Sequence, residues 1–257
     1  MRLKTLTAEK VSPAKMILIY GETGVGKTVS TLKSLKKPIL MFKFEGRDIT
    51  EPVKLAKLKE GDIFIYDFVN WEGLMDFLGN PTEEELKVID ECKSVLFDNV
   101  TYLMNNLLAW EIQDETFEAL GKEYKHFRPM VDSTRMGMDG YGALASKMSR
   151  MFKLTTERFI SKGKSVIFTA LLKENPKYNR ALSAAPNFTG KMLADDLPSF
   201  FDLIGKVESR YDENGNIVYP PLVKFAPIGS GEDGMFMCKW TGNPNGKKWG
   251  VLDFSNL

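Results

Sequence analysis

Gly21-Glu22-Thr23-Gly24-Val25-Gly26-Lys27-Thr28 follows directly on the apolar run Met16-Ile17-Leu18-Ile19-Tyr20, and this junction decides the fold. A run with no charged position suits a central strand covered on both faces. The eight residues after it fit the pattern G-x4-G-K-[ST]. Glycines let successive main-chain N–H groups turn inward around phosphate oxygens, where side chains would obstruct them. A helix predicted from about Lys27 to Ser34 adds unsatisfied N–H groups and a partial positive charge at its start. Lys27 is placed to reach the β- and γ-phosphates, and the Thr28 hydroxyl to ligate Mg2+. The expected nucleotide-binding residues are Gly21, Glu22, Thr23, Gly24, Val25, Gly26, Lys27, Thr28 and Val29.

Outward from this junction, short apolar runs alternate with helical periodicity, which predicts an α/β fold with a mostly parallel sheet flanked by helices. Further strands are expected at Ile39 to Phe44, Ile63 to Phe68, Ser94 to Asp98 and Val166 to Leu171. Trp71, Leu74, Phe77 and Leu78 share one helical face. Thr82 and Glu85 form a capping-box signature for a helix ending near Cys92. Helical material is expected from Asp98 to about Leu120, then a long excursion from Gly121 to Gly142. Leu144, Met148, Met151, Phe152, Phe159 and Ile160 mark a long amphipathic helix, and Met192 to Phe201 a short one. Pro176 to Phe188 reads as irregular. Short β segments follow: Lys206 to Tyr211 and Ile217 to Phe225 around an Asn214-Gly215 turn, then Met235 to Trp240 and Trp249 to Phe254. These predict an antiparallel β extension at the C-terminal end, so the whole of 1–257 reads as a single domain, with a core of about 14–205 and an extension of about 206–257.

Two carboxylates complete the expected site. Asp98 ends a buried strand; ligands of parallel sheets sit beyond the carboxyl ends of the strands, so Asp98 is expected to hold the metal with Thr28. Glu45 follows the second strand. If that strand neighbours the first, Glu45 lies on the γ-phosphate side and is the expected catalytic residue that orients the attacking water.

Composition excludes other classes. The chain has 257 residues, 43% hydrophobic and 27% charged, which suits an ordinary globular core. Lys and Arg number 35 against 34 Asp and Glu, so no global charge draws it to nucleic acid. One histidine, His126, rules out a multi-histidine zinc site, and two cysteines, Cys92 and Cys238, show no ligand spacing. No apolar run approaches the roughly 18 residues of a membrane helix. Cytoplasmic residence is the expectation.

The order of P-loop, Glu45, Asp98 and the strand Val166 to Leu171 resembles that of RecA-like P-loop ATPases. The chain is similar in particular to phage-encoded AAA-type nucleotide-binding proteins, the group that includes RecA-like single-strand annealing ATPases. Tyr141 to Leu154, Pro186-Asn187-Phe188-Thr189-Gly190-Lys191 and Phe201-Asp202 resemble that group's later segments. The resemblance implies a RecA-like sheet, Mg2+-dependent ATP hydrolysis, homo-oligomeric rings or filaments, and action on DNA in phage recombination within the host cytoplasm. Two positions depart from the wider RecA-like pattern. Leu171 stands where a polar sensor is usual, and Thr241 of Cys238-Lys239-Trp240-Thr241-Gly242 stands where related helicases carry a finger arginine. An arginine finger supplies roughly 10³–10⁵ in rate. Slow turnover follows unless Lys239, Lys247 or Lys248 substitutes, and Lys239 at the matching position is the expected catalytic stand-in.

Single-stranded DNA is the expected macromolecular partner. Lys122, Lys125, His126, Arg128 and Arg135 occur with Tyr124 and Phe127, a mix that suits phosphate pairing and base stacking. Glu118, Glu123, Asp132 and Asp139 dilute that charge, so a plain solvated loop is the competing reading. The alternative to an annealing ATPase is an ATP-gated assembly module with little turnover; a small-molecule phosphotransferase lacks an arginine-rich lid.

Overall fold

The strand Met16–Gly21 (β1) is buried at all six positions, as a strand covered on both faces must be. A computed structural model describes residues 14–44, 46, 48–68, 70–112, 138–176, 182–225, 237–240 and 250–255. In chain order the other strands are β2 (Ile39–Lys43), β3 (Ile63–Asp67), β4 (Ser94–Asp98), β5 (Ser165–Glu174), β6 (Ala184–Pro186), β7 (Leu203–Tyr211), β8 (Ile217–Lys224), β9 (Lys239–Trp240) and β10 (Gly250–Val251). They form one sheet in the order β10-β8-β7-β1-β5-β4-β2-β3, with β6 on β5 and β9 on β7. β7, β1, β5, β4, β2 and β3 run parallel; β6, β8, β9 and β10 join antiparallel. This is the expected P-loop architecture with its antiparallel C-terminal addition.

Alternation along the strands sorts the core into two layers. Leu18, Tyr20, Leu40, Phe42, Val95, Phe97, Val166 and Phe168 face one side. There they meet α3 (Trp71–Gly79), α4 (Glu83–Glu91), α6 (Met138–Arg158) and α7 (Lys191–Phe200). α6 also packs on α3 and α7. Ile17, Ile19, Ile39, Met41, Leu96 and Ile167 face the other side, against α1 (Lys27–Ser34) and the end of α2 (Thr50–Leu55). A stack of phenylalanines crosses the first layer: Phe42 lies 4.4 Å from Phe97, and Phe97 4.4 Å from Phe168, centroid to centroid. The three are register partners on adjacent strands. After β4 the chain forms α5 (Val100–Tyr102), loosens into a π-helical stretch over Leu103–Leu108, and is α-helical again to residue 112.

Helix ends are closed by side chains. Thr82 and Glu85 form the expected capping box on α4. Arg158 donates to the carbonyls of Leu78 and Gly79 at the end of α3, at 2.9 and 3.0 Å. Buried Lys164 donates to the carbonyls of Ile89, Asp90 and Cys92 at the end of α4. A cation there meets unpaired acceptors and the negative end of the helix dipole.

Some boundaries differ from the sequence expectation. Helix α2 is one and a half turns long, too short to show a period, and carries Pro52 in its first turn, where proline is tolerated. β6 lies within the stretch read as irregular, because Ala184-Ala185-Pro186 has no strand pattern of its own and pairs with the extended end of β5. The last two β segments shrink to Lys239–Trp240 and Gly250–Val251 among the described residues; Leu252 and Phe254 instead plug the α1 layer. The helix expected to reach Leu120 and most of the Gly121–Gly142 excursion, including His126, lie outside the described residues beyond 112 and before 138.

Candidate functional site

At the carboxyl end of β1 the chain turns through Glu22 to Val25 and enters α1. Two of the glycines are dictated by their surroundings. A Cβ on Gly21 would meet the Val207 carbonyl oxygen at 2.5 Å, because β7 passes close beside the loop. Gly26 has φ +89°, and a Cβ there would strike the ring of Tyr219 at 2.4 Å. Gly26 sits at the N-cap of α1 and offers no side-chain acceptor to the first turn. Lys27 is buried, and its Nζ donates to the carbonyls of Gly21 at 2.9 Å and Glu22 at 2.7 Å, curling the loop around itself.

The second anchor comes from β4. Thr28 Oγ1 donates to Asp98 Oδ2 at 2.7 Å, across 70 positions of sequence. The other carboxylate oxygen, Oδ1, accepts from the hydroxyl of Thr169 on β5, which is fully buried. Asp98 is thus aimed by one hydroxyl from α1 and one from the neighbouring strand. Asn99, joined to Asp98 by a cis peptide bond, caps α5 by accepting from the Tyr102 N–H at 2.8 Å.

Above these groups lies a cavity of about 440 Å³, the size of a small-molecule site. Gly24, Gly26, Lys27 and Thr28 form its floor, with Lys43 and Asp98 at the strand ends. Apolar lining comes from Ile49 and from Pro52 of α2, and from Tyr219 and Pro220 of β8. Leu171 also lines it, so the position after Ala170 does present an apolar side chain to the site. Asp48, on the rim, is held below the usual carboxylate range by the Thr50 hydroxyl and then the Thr50 N–H.

A hydroxyl and a carboxylate converging beside a phosphate loop are hard oxygen donors, the set that suits Mg2+. Among the described residues no cluster of three or more His, Cys, Asp or Glu could cage a metal.

The structure brings Thr23, Gly24, Gly26, Lys27, Thr28 and Val29 together with Asp98 around one cavity; Gly21 and Glu22 accept from Lys27 through their carbonyls, and Glu22 and Val25 line a separate pocket beside β7. Glu45 lies outside the described residues. The premise behind its expected position is corrected: β2 pairs with β4 and β3, and β5 and β4 stand between it and β1. The Phe44 N–H, at the end of β2, reaches the Asp98 carbonyl at 3.4 Å. Lys239 lies apart from the phosphate loop of its own chain. It pairs with Ile204 near the start of β7, while the phosphate loop lies beyond the far end of the adjacent β1. Its Nζ donates to the carbonyls of Pro198 at 2.6 Å and Phe201 at 2.7 Å, closing the end of α7. Thr241, Lys247 and Lys248 lie outside the described residues. Sequence reasoning missed Thr169, Lys43 and Tyr219, which meet the site only through strand order.

The profile of the AAA domain family matches residues 13–220, more than three-quarters of the chain. The protein belongs to that family, and so to the P-loop AAA-type ATPases. No curated protein matches it. No helix among the described residues is long and apolar enough to cross a membrane.

Proposed function

We propose that the chain binds ATP with Mg2+ and hydrolyses it to ADP and phosphate. The observation that carries this reading is the Thr28–Asp98 hydrogen bond, which sets a hydroxyl and a carboxylate side by side at the mouth of the phosphate loop. The main-chain N–H groups of the loop and the start of α1 would hold the phosphate oxygens, and Lys27 would exchange its two carbonyl partners for the β- and γ-phosphates. Thr28 and Asp98 would hold Mg2+, whose charge offsets that of the phosphates. Thr169 keeps Asp98 turned toward Thr28. Glu45 orients the attacking water. Lys27→Ala is expected to abolish nucleotide binding or turnover; unchanged activity refutes the site. Glu45→Gln should bind ATP and hydrolyse it poorly; normal turnover would require a different base.

A role on single-stranded DNA, in phage recombination or annealing by a ring or filament of copies in the host cytoplasm, rests on the resemblance and on the basic and aromatic residues between Gly121 and Gly142. Binding to a long single strand should weaken steeply with salt. No complex at low salt removes this role. A second reading, an ATP-gated assembly module with little turnover, is favoured by Leu171 in the cavity wall and by Lys239 engaged at a helix end. Sizing with and without nucleotide, beside a turnover assay, separates the two.

A further inference from the structure

We propose that Lys43 is the second cation of the ATP site: on nucleotide binding it leaves Asp67 and contacts the terminal phosphate. This rests on the reading of the cavity as an ATP site.

Three observations carry it. The first is register. Asp67, Lys43 and Asp98 are Cα partners on β3, β2 and β4, so they form one cross-strand row. Partners in a parallel sheet project to the same face, and neighbouring strands lie about 4.8 Å apart. Lys43 is therefore adjacent to the carboxylate that meets Thr28. The second is exposure. The Lys43 side chain is only 13% exposed and lines the cavity, whereas its partner Asp67, at 2.6 Å, is 54% exposed. An ion pair with one solvated member is a weak tether. A four-carbon stem can swing from one neighbour in the row to the space above the other.

The third is the distribution of cations. The lysines lining the cavity are Lys27, Lys33 and Lys43. Lys27 belongs to the loop, and Lys33 lies in the last turn of α1, away from the strand ends. Lys239 closes α7. Among the described residues, Lys43 is the remaining lysine beside Asp98.

Hydrolysis forms a bond from the water oxygen to the γ-phosphorus and breaks the bond to the β–γ bridging oxygen. It yields ADP and inorganic phosphate and releases a proton to solvent. Lys43 transfers no proton in this step. Its ammonium offsets charge on the γ-oxygens, the service a finger arginine performs from a neighbour.

The test is equilibrium binding of ADP and of a non-hydrolysable ATP analogue, each with Mg2+, to the wild type, Lys43→Met and Asp67→Asn, beside ATP turnover. Lys43→Met should bind ADP within about twofold of wild type but the analogue roughly tenfold or more weakly, as loss of one charge-assisted hydrogen bond implies. Its turnover should fall by about 10²–10³. Asp67→Asn should bind the analogue at least as tightly as wild type. If Lys43 served only as the partner of Asp67, the two variants would behave alike, and that result overturns the proposal. Equal effects of Lys43→Met on ADP and analogue, or no effect on either, also overturn it. Should Lys43→Met lose its cooperative thermal transition, Asp67→Asn decides alone: weakened analogue binding refutes the proposal. Failure of the wild type to bind either nucleotide would refute the ATP site itself, a separate outcome.

Discussion

Replacing Thr169 by Val tests the aiming of Asp98. Thr169 is fully buried on β5, and its hydroxyl donates to Asp98 Oδ1 while Thr28 occupies Oδ2. Valine keeps the β-branched shape that suits a strand, so the change removes a donor and little volume. A hydrogen bond to a charged acceptor contributes about 1.5–3 kcal/mol, and its loss should lower unfolding stability by that amount. The larger effect falls on the metal. Groups that orient a ligand typically contribute 10–100-fold in metal affinity. ATP binding in the presence of Mg2+ should therefore weaken by about 10–100-fold, while binding of ATP in EDTA, which relies on the loop and Lys27, should change little. Thr169→Ser restores the hydroxyl and should recover most of both losses. Titration calorimetry with and without Mg2+, beside urea melts, reads each quantity. Equal Mg2+ dependence in wild type and Thr169→Val would show that Asp98 needs no second donor, and the account of the site would fail.

Other outcomes follow from the same geometry. Tyr219, 53% exposed, lines the cavity with its ring against Gly26, so it can stack on a nucleotide base. Tyr219→Ala should weaken ATP by about 10–100-fold and leave tripolyphosphate binding unchanged; equal losses on both ligands exclude stacking. Burial raises the Cys92 thiol above its ordinary value of 9.0, against a smaller opposing pull from Lys164. A raised folded-state value means the unfolded chain releases its proton first, so stability falls as pH rises through about 9. Cys92→Ala should flatten that slope in thermal melts taken between neutral and alkaline pH, and an unchanged slope places its origin elsewhere. Lys239→Met should lower stability by about 1–3 kcal/mol through the two carbonyls it leaves at the end of α7. A thousandfold loss of turnover with an intact melt would instead restore Lys239 as a finger.

The parts of the site that sequence reveals are those made by neighbours in sequence. The strand, the glycine turn and Lys27 are contiguous, and Thr82 with Glu85 spans one turn of helix, so spacing alone exposes them. Asp98 is legible because a buried strand ends on it. Thr169 and Lys43 are different. Lys43 is the register partner of Asp98, and Thr169 donates to it from the other neighbouring strand; both links depend on strand order, which no local pattern encodes. The expected place of Glu45 carries the same dependence on order: it is conditional on β2 lying beside β1, and two strands separate them. Lys239 has a structural part that its sequence context does not display. Its position in the sequence matches that of a catalytic residue, but the end of α7, with two carbonyls in need of a donor, lies nearby.

The stacked rings of Phe42, Phe97 and Phe168 have a bearing on the chemistry above them. Each is followed directly by a polar residue, Lys43, Asp98 or Thr169, pointing to the opposite side of the sheet. The oily tier thus works as a vernier for the ionic one. One residue inserted into β4 would thrust Asp98 among the rings and strand Phe97 in the aqueous cleft, a double penalty that locks the alignment. Selection for a well-packed interior therefore also preserves the placement of the carboxylate, and harmless-looking changes of ring size deep in the molecule should register first as altered metal handling at its rim.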